Sequence, residues 1–240
     1  MIDFNCDMGE GMGNDESIMP FITSANIACG YHAGDKDMMK QTVELCLKYD
    51  LAIGAHPSYS DRENFGRSEI NISPEQVYIL VKEQIQLLKK ITEEAKAVLQ
   101  HVKPHGALYN RSAKDVQVAK AIAEAIKDVD EDLVLFGLSG SYSITEAKNL
   151  GLTTRSEVFA DRTYQDDGSL TPRDQPNALI VEEEKSIQQV LQMVNEGTVT
   201  TVSGKRISIM AETVCIHGDG KNAVQFAKRF HELLKKPIRF

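Results

Sequence analysis

Short apolar runs recur along this chain, and each stops at a small cluster rich in glycine, histidine or aspartate. In order they are IDFNCDMGE (2–10), ANIACGYHAGD (25–35), AIGAHPSYSD (52–61), VKPHGALYN (102–110), EVFADR (157–162) and TVCIHGDG (213–220). Apolar runs of this length bounded by Gly and Pro predict buried strands, here at 2–6, 25–29, 51–55, 98–102, 133–138, 154–159 and 212–216. Between them the apolar positions change to helical spacing. Met38, Met39, Val43, Cys46 and Leu47 mark a helix over 35–49. Ser73-Pro74-Glu75-Gln76 reads as a capping box with proline at the first helical position, opening a helix whose apolar face is interrupted by Gln84. Ser112 predicts the cap of a third helix that turns Val116, Ala119, Ile122, Ala123 and Ile126 inward. Further helices are expected near 141–149, 182–195 and 220–235, the first two stopping at Gly151 and Gly197. The stretch 198–211 predicts an additional hairpin, turning at Ser203-Gly204-Lys205, before the last strand.

Seven strands alternating with helices are the pattern of a parallel α/β fold. An open sheet gathers its chemistry at one switch point, whereas a closed barrel brings every strand end to one mouth. Polar clusters follow nearly every strand here, so the expected fold is a (β/α) barrel with seven strands, one domain over 1–240. A chain of 240 residues with 42% hydrophobic content suits one large core. The net charge of −8 supplies no basic face for nucleic acid. The opening IDFNCD lacks the basic start and apolar core of a signal peptide, and no apolar stretch reaches membrane-spanning length, so a cytoplasmic protein is expected. Cys6, Cys29, Cys46 and Cys215 form no CxxC pair; Cys6, Cys29 and Cys215 read as small core residues, and Cys46 fits a helix face.

Candidate chemistry lies at the strand ends. Asp3 to Asp7 imitates the start of a calcium loop, but Met8 and Asn14 stand where Gly and Glu are required. Asp7 therefore either faces the mouth or, with Glu10, turns the chain. Neither GEGMG (9–13) nor the segment around Gly204-Lys205 has the spacing of a phosphate-binding loop. His32, His56, His105 and His217 each sit beside Gly or Pro at a strand end, where imidazole can ligate a metal or move a proton. No HExxH or H-x-H pair is present, so the metal question stays open. Lys103 and His105, two residues apart, share a face if the segment is extended. Glu157 and Asp161, next to Arg162, are candidate bases or substrate holders. His101 and His231 read as packing positions.

NCDMGE, SANIACGYHAGD, GAHPSYSD, FGR, VKPHGALYN, EVFADRTYQDDGSL with Pro172-Arg173, and CIHGD resemble the LamB/YcsF family across nearly the whole chain. The resemblance implies a seven-stranded barrel similar to the glycoside hydrolase/deacetylase fold. It also implies a role as the A component of an ATP-dependent 5-oxoprolinase, cleaving 5-oxo-L-proline to L-glutamate together with subunits B and C. On that reading Asp7, Glu157 or Asp161 would activate water, and Lys103 and His105 would polarise the lactam oxygen or a phosphate. His32, His56 and His217 would position groups or transfer protons, Asp219 would help bind the substrate, and Arg67 or Arg173 would hold its carboxylate. With no P-loop in this chain, Mg-ATP is expected to be used at least partly by the partner subunits. The competing readings are a metal-dependent deacetylase or carbohydrate hydrolase on the same barrel, and a non-catalytic ligand-binding subunit.

Overall fold

The computed structural model describes residues 2–216 and 223–234. Seven parallel strands close into a barrel: β1 (Asp3–Met8), β2 (Ser24–Ala28), β3 (Ala52–His56), β4 (Leu99–Val102), β5 (Val134–Leu138), β6 (Thr154–Phe159) and β9 (Thr213–Ile216). They neighbour one another in chain order, and β9 pairs with both β6 and β1 to complete the ring. Between β6 and β9 the short strands β7 (Thr198–Thr200) and β8 (Arg206–Ser208) form the expected antiparallel hairpin. The seven barrel strands match the apolar runs to within two residues at either end.

Around the ring stand α1 (Asp15–Ile18), α2 (Lys36–Tyr49), α3 (Pro74–Glu94), α4 (Gly106–Lys114), α5 (Val116–Val129), α6 (Tyr142–Asn149), α7 (Glu183–Glu196) and α8 (Ala223–Leu234). The capping box at α3 forms as expected: Ser73 Oγ accepts from the Gln76 amide and the Gln76 side chain accepts from the Ser73 amide. The polar interruption of that helix has a structural reason. Buried Gln84 donates to the Ser58 carbonyl at 2.8 Å and accepts from the Ser58 amide at 2.9 Å, pinning the segment after β3. Ser112 is not a cap. It lies inside α4 and donates to the Tyr109 carbonyl, while Asp115 caps α5 through the Gln117 and Val118 amides. The two helices follow each other directly, and an aspartate at the break satisfies orphan amides that a serine one turn earlier could not reach.

Side chains alternate along each strand, so residues two apart share a face. In β1 Phe4 turns outward and stacks on Phe230 of α8 at 6.2 Å, while Asp3, Asn5 and Asp7 point into the barrel. The helices thus cover an apolar outer wall, and the barrel interior is polar. Register puts Asn26, Gly54 and His101 in one row across β2, β3 and β4. Gly54 leaves room for the imidazole, since a Cβ there would come 2.0 Å from His101 Nε2.

Candidate active site at the barrel mouth

β1 delivers Asp7 and the turn behind it Glu10, while the segment after β2 delivers His32. β3 ends on His56, the stretch between β4 and α4 carries Lys103 and His105, and β6 contributes Glu157. These side chains converge because parallel strands closed into a ring all end at the same rim. Most of them border a cavity of about 420 Å³ whose outer wall includes Arg67, Arg162 and Arg173.

Two groupings share this space. In the first, Lys103 Nζ sits 3.0 Å from Asp7 Oδ1, 2.9 Å from Glu157 Oε1, 3.1 Å from Asn5 Oδ1 and 3.0 Å from Cys215 Sγ. Burial works against the ammonium, but the facing carboxylates of Asp7 and Glu157 outweigh it and hold its pKa well above the usual lysine range. One cation against two carboxylates leaves this cluster short of positive charge. Fully buried Glu157 touches Lys103 only as an ion pair, and the Tyr109 hydroxyl stands beside it short of hydrogen-bond geometry. Burial, then the charge of Glu157, pushes the Tyr109 pKa well up. Burial likewise keeps Cys215 a thiol. Asp7 is the more accessible of the two carboxylates, and Asn26 Nδ2 donates to its Oδ1 at 2.9 Å.

The second grouping is a knot of imidazoles. His32 and His105 stack with ring centres 3.8 Å apart, and His56 stands edge-on to both. His56 Nε2 lies 2.9 Å from His105 Nδ1 and 3.3 Å from Asp7 Oδ2. Glu10 Oε1 is 3.0 Å from His32 Nε2 and 3.5 Å from His105 Nδ1. Burial lowers the pKa of His32 against the pull of Glu10, and burial with the neighbouring rings holds His105 well below the usual imidazole range. Glu10, His32, His56 and His105 offer ligand atoms that all lie within 4.8 Å of one another, a donor set able to hold a metal ion.

Matching against family models places residues 2–238 in the LamB/YcsF family. The chain belongs to the LamB/YcsF family. Among its relatives, the A component of 5-oxoprolinase from Geobacillus thermodenitrificans is 52% identical over 238 residues, covering 98% of this chain and 93% of that protein. A protein of the same name from Bordetella pertussis is 50% identical over 240 residues, covering 98% and 95%. The crystal structure of a lactam utilization protein from Thermus thermophilus superposes with a TM-score of 0.90 at 38% identity, covering 98% of this chain and 96% of that one. A putative cellobiose-phosphate cleavage protein of Enterococcus faecalis shares the fold at a TM-score of 0.56 and 13% identity.

Of the residues singled out in the sequence, this LamB/YcsF barrel brings Asp7, His32, His56, Lys103, His105 and Glu157 together. Arg67 and Arg173 are exposed on the cavity's outer wall. Asp161 is not on the lining, where its neighbour Arg162 stands instead. The Arg162 guanidinium donates to the Thr171 carbonyl at 2.6 Å and the Ala178 carbonyl at 3.3 Å, and burial and then Arg173 lower its pKa to about 10. His217 and Asp219 lie outside the described residues. Lys103 does not stand ready for an incoming anion, because Asp7 and Glu157 already engage it. Sequence reasoning passed over Glu10, Asn5, Asn26 and Tyr109 as site residues. Asn5 had a signal, being two residues before Asp7 and so on the same strand face. Glu10 had only its proximity to Asp7, since the turn that aims it at His32 depends on Gly9 at φ +70°.

Proposed function

We propose that this chain is the lactam-opening subunit of an ATP-dependent 5-oxoprolinase that converts 5-oxo-L-proline to L-glutamate. One observation carries the reading: a cavity of about 420 Å³ is lined both by the carboxylate of Asp7 and by the exposed arginines Arg67 and Arg173. That pairing suits a small anionic substrate whose carbonyl must be attacked by water. The names of the relatives support the same reaction class, and their designation as one subunit of several supports action within a larger assembly.

A five-membered lactam resists hydrolysis because its amide is resonance-stabilised and its ring readily recloses. Phosphorylation of the amide oxygen by ATP makes the ring carbon electrophilic. Water adds there, the C–N bond breaks as the ring nitrogen takes up a proton, and the acyl phosphate so formed is hydrolysed by a second water to glutamate and phosphate. Asp7 takes the proton of the attacking water and returns it to the leaving nitrogen. Lys103, braced by Glu157 and Asn5, pairs with Asp7 and keeps its carboxylate aimed into the cavity. Arg67 and Arg173 hold the substrate carboxylate or the transferred phosphate. Among the described residues, no segment bordering the cavity has the spacing of a phosphate-binding loop, so we assign Mg-ATP to the partner subunits, with this barrel completing the hydrolysis.

The test is glutamate and phosphate release from 5-oxoproline and Mg-ATP by the purified chain, alone and with its partner subunits B and C. Coupled release that requires the partners is expected. No release from a verified complex overturns the reading and favours a barrel hydrolase that acts without ATP.

A further inference from the structure

The hydrogen-bond partners of the three clustered histidines fix where their protons are. His56 Nδ1 lies 2.6 Å from the carbonyl oxygen of Lys103, and His105 Nε2 lies 2.9 Å from that of Phe65. A carbonyl only accepts, so both of these nitrogens carry hydrogen. His32 Nδ1 lies 2.9 Å from Ser58 Oγ, whose own hydrogen goes to the Tyr59 carbonyl at 2.9 Å. The serine oxygen must therefore accept, and His32 Nδ1 carries hydrogen as well. Each neutral ring is left with one bare nitrogen: His32 Nε2, His56 Nε2 and His105 Nδ1.

Those bare nitrogens are the ones that face each other. His56 Nε2 and His105 Nδ1 are 2.9 Å apart, and His32 Nε2 is 3.0 Å from Glu10 Oε1, which is itself 3.5 Å from His105 Nδ1. Four electron-pair donors converge with no hydrogen between them, an arrangement that repels itself unless a cation fills it. Protonating the rings instead would put positive charge on imidazoles stacked 3.8 Å apart in a buried site, where desolvation and mutual repulsion both oppose it.

We infer that Glu10, His32, His56 and His105 form a binding site for a divalent first-row transition metal ion. Three imidazole nitrogens and one carboxylate oxygen suit zinc, cobalt or ferrous iron, whereas calcium and magnesium take oxygen ligands. Ligands about 2.1 Å from a common ion stand about 3.0 to 3.4 Å apart when adjacent, close to the separations of 2.9, 3.0 and 3.5 Å among these donors. The carbonyls of Lys103 and Phe65 and the hydroxyl of Ser58 are the outer partners that fix tautomer and ring orientation in metal-binding histidines. Glu10, His56 and His105 border the cavity, so an ion held there meets whatever occupies it, with Asp7 3.3 Å from His56 Nε2 alongside. It would polarise a carbonyl or phosphoryl oxygen at the place the proposed reaction needs it. The site itself rests on the tautomers and stands apart from the lactam reading.

The experiment is metal analysis of the full chain purified without chelator, followed by titration of the stripped protein with Zn²⁺ and Co²⁺. We expect a single tightly held ion, and visible Co²⁺ absorption bands that Zn²⁺ abolishes. Glu10→Gln and His105→Gln should each weaken Zn²⁺ binding by about 100-fold or more, while His101→Gln, outside the cluster, should leave it unchanged. If those variants prove unstable, ring ¹⁵N shifts of the unaltered stripped protein decide the matter. Bare nitrogens on His32, His56 and His105 that shift on adding Zn²⁺ support the site. Failure of the unaltered chain to bind Zn²⁺ or Co²⁺, binding indifferent to the two variants, or protonated rings unmoved by metal overturns it. None of these readouts involves turnover. Metal binding in an inactive complex would thus discard the lactam reading alone, and turnover by a chain that binds no metal would discard the site alone.

Discussion

The floor and the mouth of this barrel are both built from polar side chains, yet they are wired differently. On the floor donors meet acceptors. Asp3 accepts from the hydroxyls of Thr23, Ser24 and Thr213, Asn5 donates to Thr213, and Asn26 donates to Asn5 while accepting from His101. Burial holds His101 at a pKa of about 3, and the ring stacks on Phe136 as a neutral structural group. At the mouth the matching breaks down. Two carboxylates share one ammonium, bare imidazole nitrogens face one another and a carboxylate, and Tyr109 stands beside Glu157 without a hydrogen bond. A buried network that satisfies itself needs nothing more, whereas one with converging lone pairs is complete only when something else binds. The difference separates scaffold from site without appeal to which residue types are polar.

The largest effect that would test this contrast is Asp7→Asn. It should lower coupled 5-oxoproline turnover by about 100- to 10,000-fold while the thermal unfolding temperature stays near that of the parent, since the amide keeps the Asn26 and Lys103 region filled. Normal turnover in this variant would remove Asp7 from the mechanism. Lys103→Met should cost stability as well as activity, about 3–5 kcal/mol by denaturant unfolding, because Asp7 and Glu157 are left facing each other uncompensated. Adding Glu157→Gln should return part of that loss, and strictly additive losses would show that the two do not form a coupled pair.

On the floor, Gly54→Ala should lower stability by about 1–3 kcal/mol. Its Cβ meets the His101 ring, which is fixed by Asn26 and Phe136. An unchanged unfolding midpoint would mean the row is looser than its geometry implies. The floor also predicts a response to acid. A histidine whose folded pKa is depressed contributes stability that is complete above about 6.5 and is lost as pH falls toward its folded value, because the unfolded chain binds the proton first. For His101 that window runs from pH 6.5 down to about 3, at about 1.4 kcal/mol per pH unit. Denaturant midpoints measured across this range should fall less steeply in His101→Gln than in the parent, and equal slopes would return His101 to an ordinary titrating role.

The apolar runs, their glycine and proline boundaries and the capping box at Ser73 made the strands, the barrel and most helices legible, because these depend on periodicities of two and 3.6 that survive in one dimension. The α4–α5 break was not legible, since Asp115 and Ser112 are both good caps and only the packing of Ser112 against Ser143 selects between them. The site was half legible. Histidines at strand ends announced themselves through their glycine and proline neighbours, and the order of strands around a closed ring required them to meet. What a linear chain does not carry is the partner of each nitrogen and oxygen. That Lys103 is consumed by Asp7 and Glu157, that Arg162 rather than Asp161 borders the cavity, and that Glu10 joins three imidazoles follows from contacts between residues up to 96 positions apart, Lys103 and Asp7 being the widest pair. The sequence determined the barrel and the list of groups at its rim, because strand and helix patterns are local. Only the tertiary structure decided which of those groups are satisfied and which still await a partner, because hydrogen-bond complementarity is a property of pairs brought together in space.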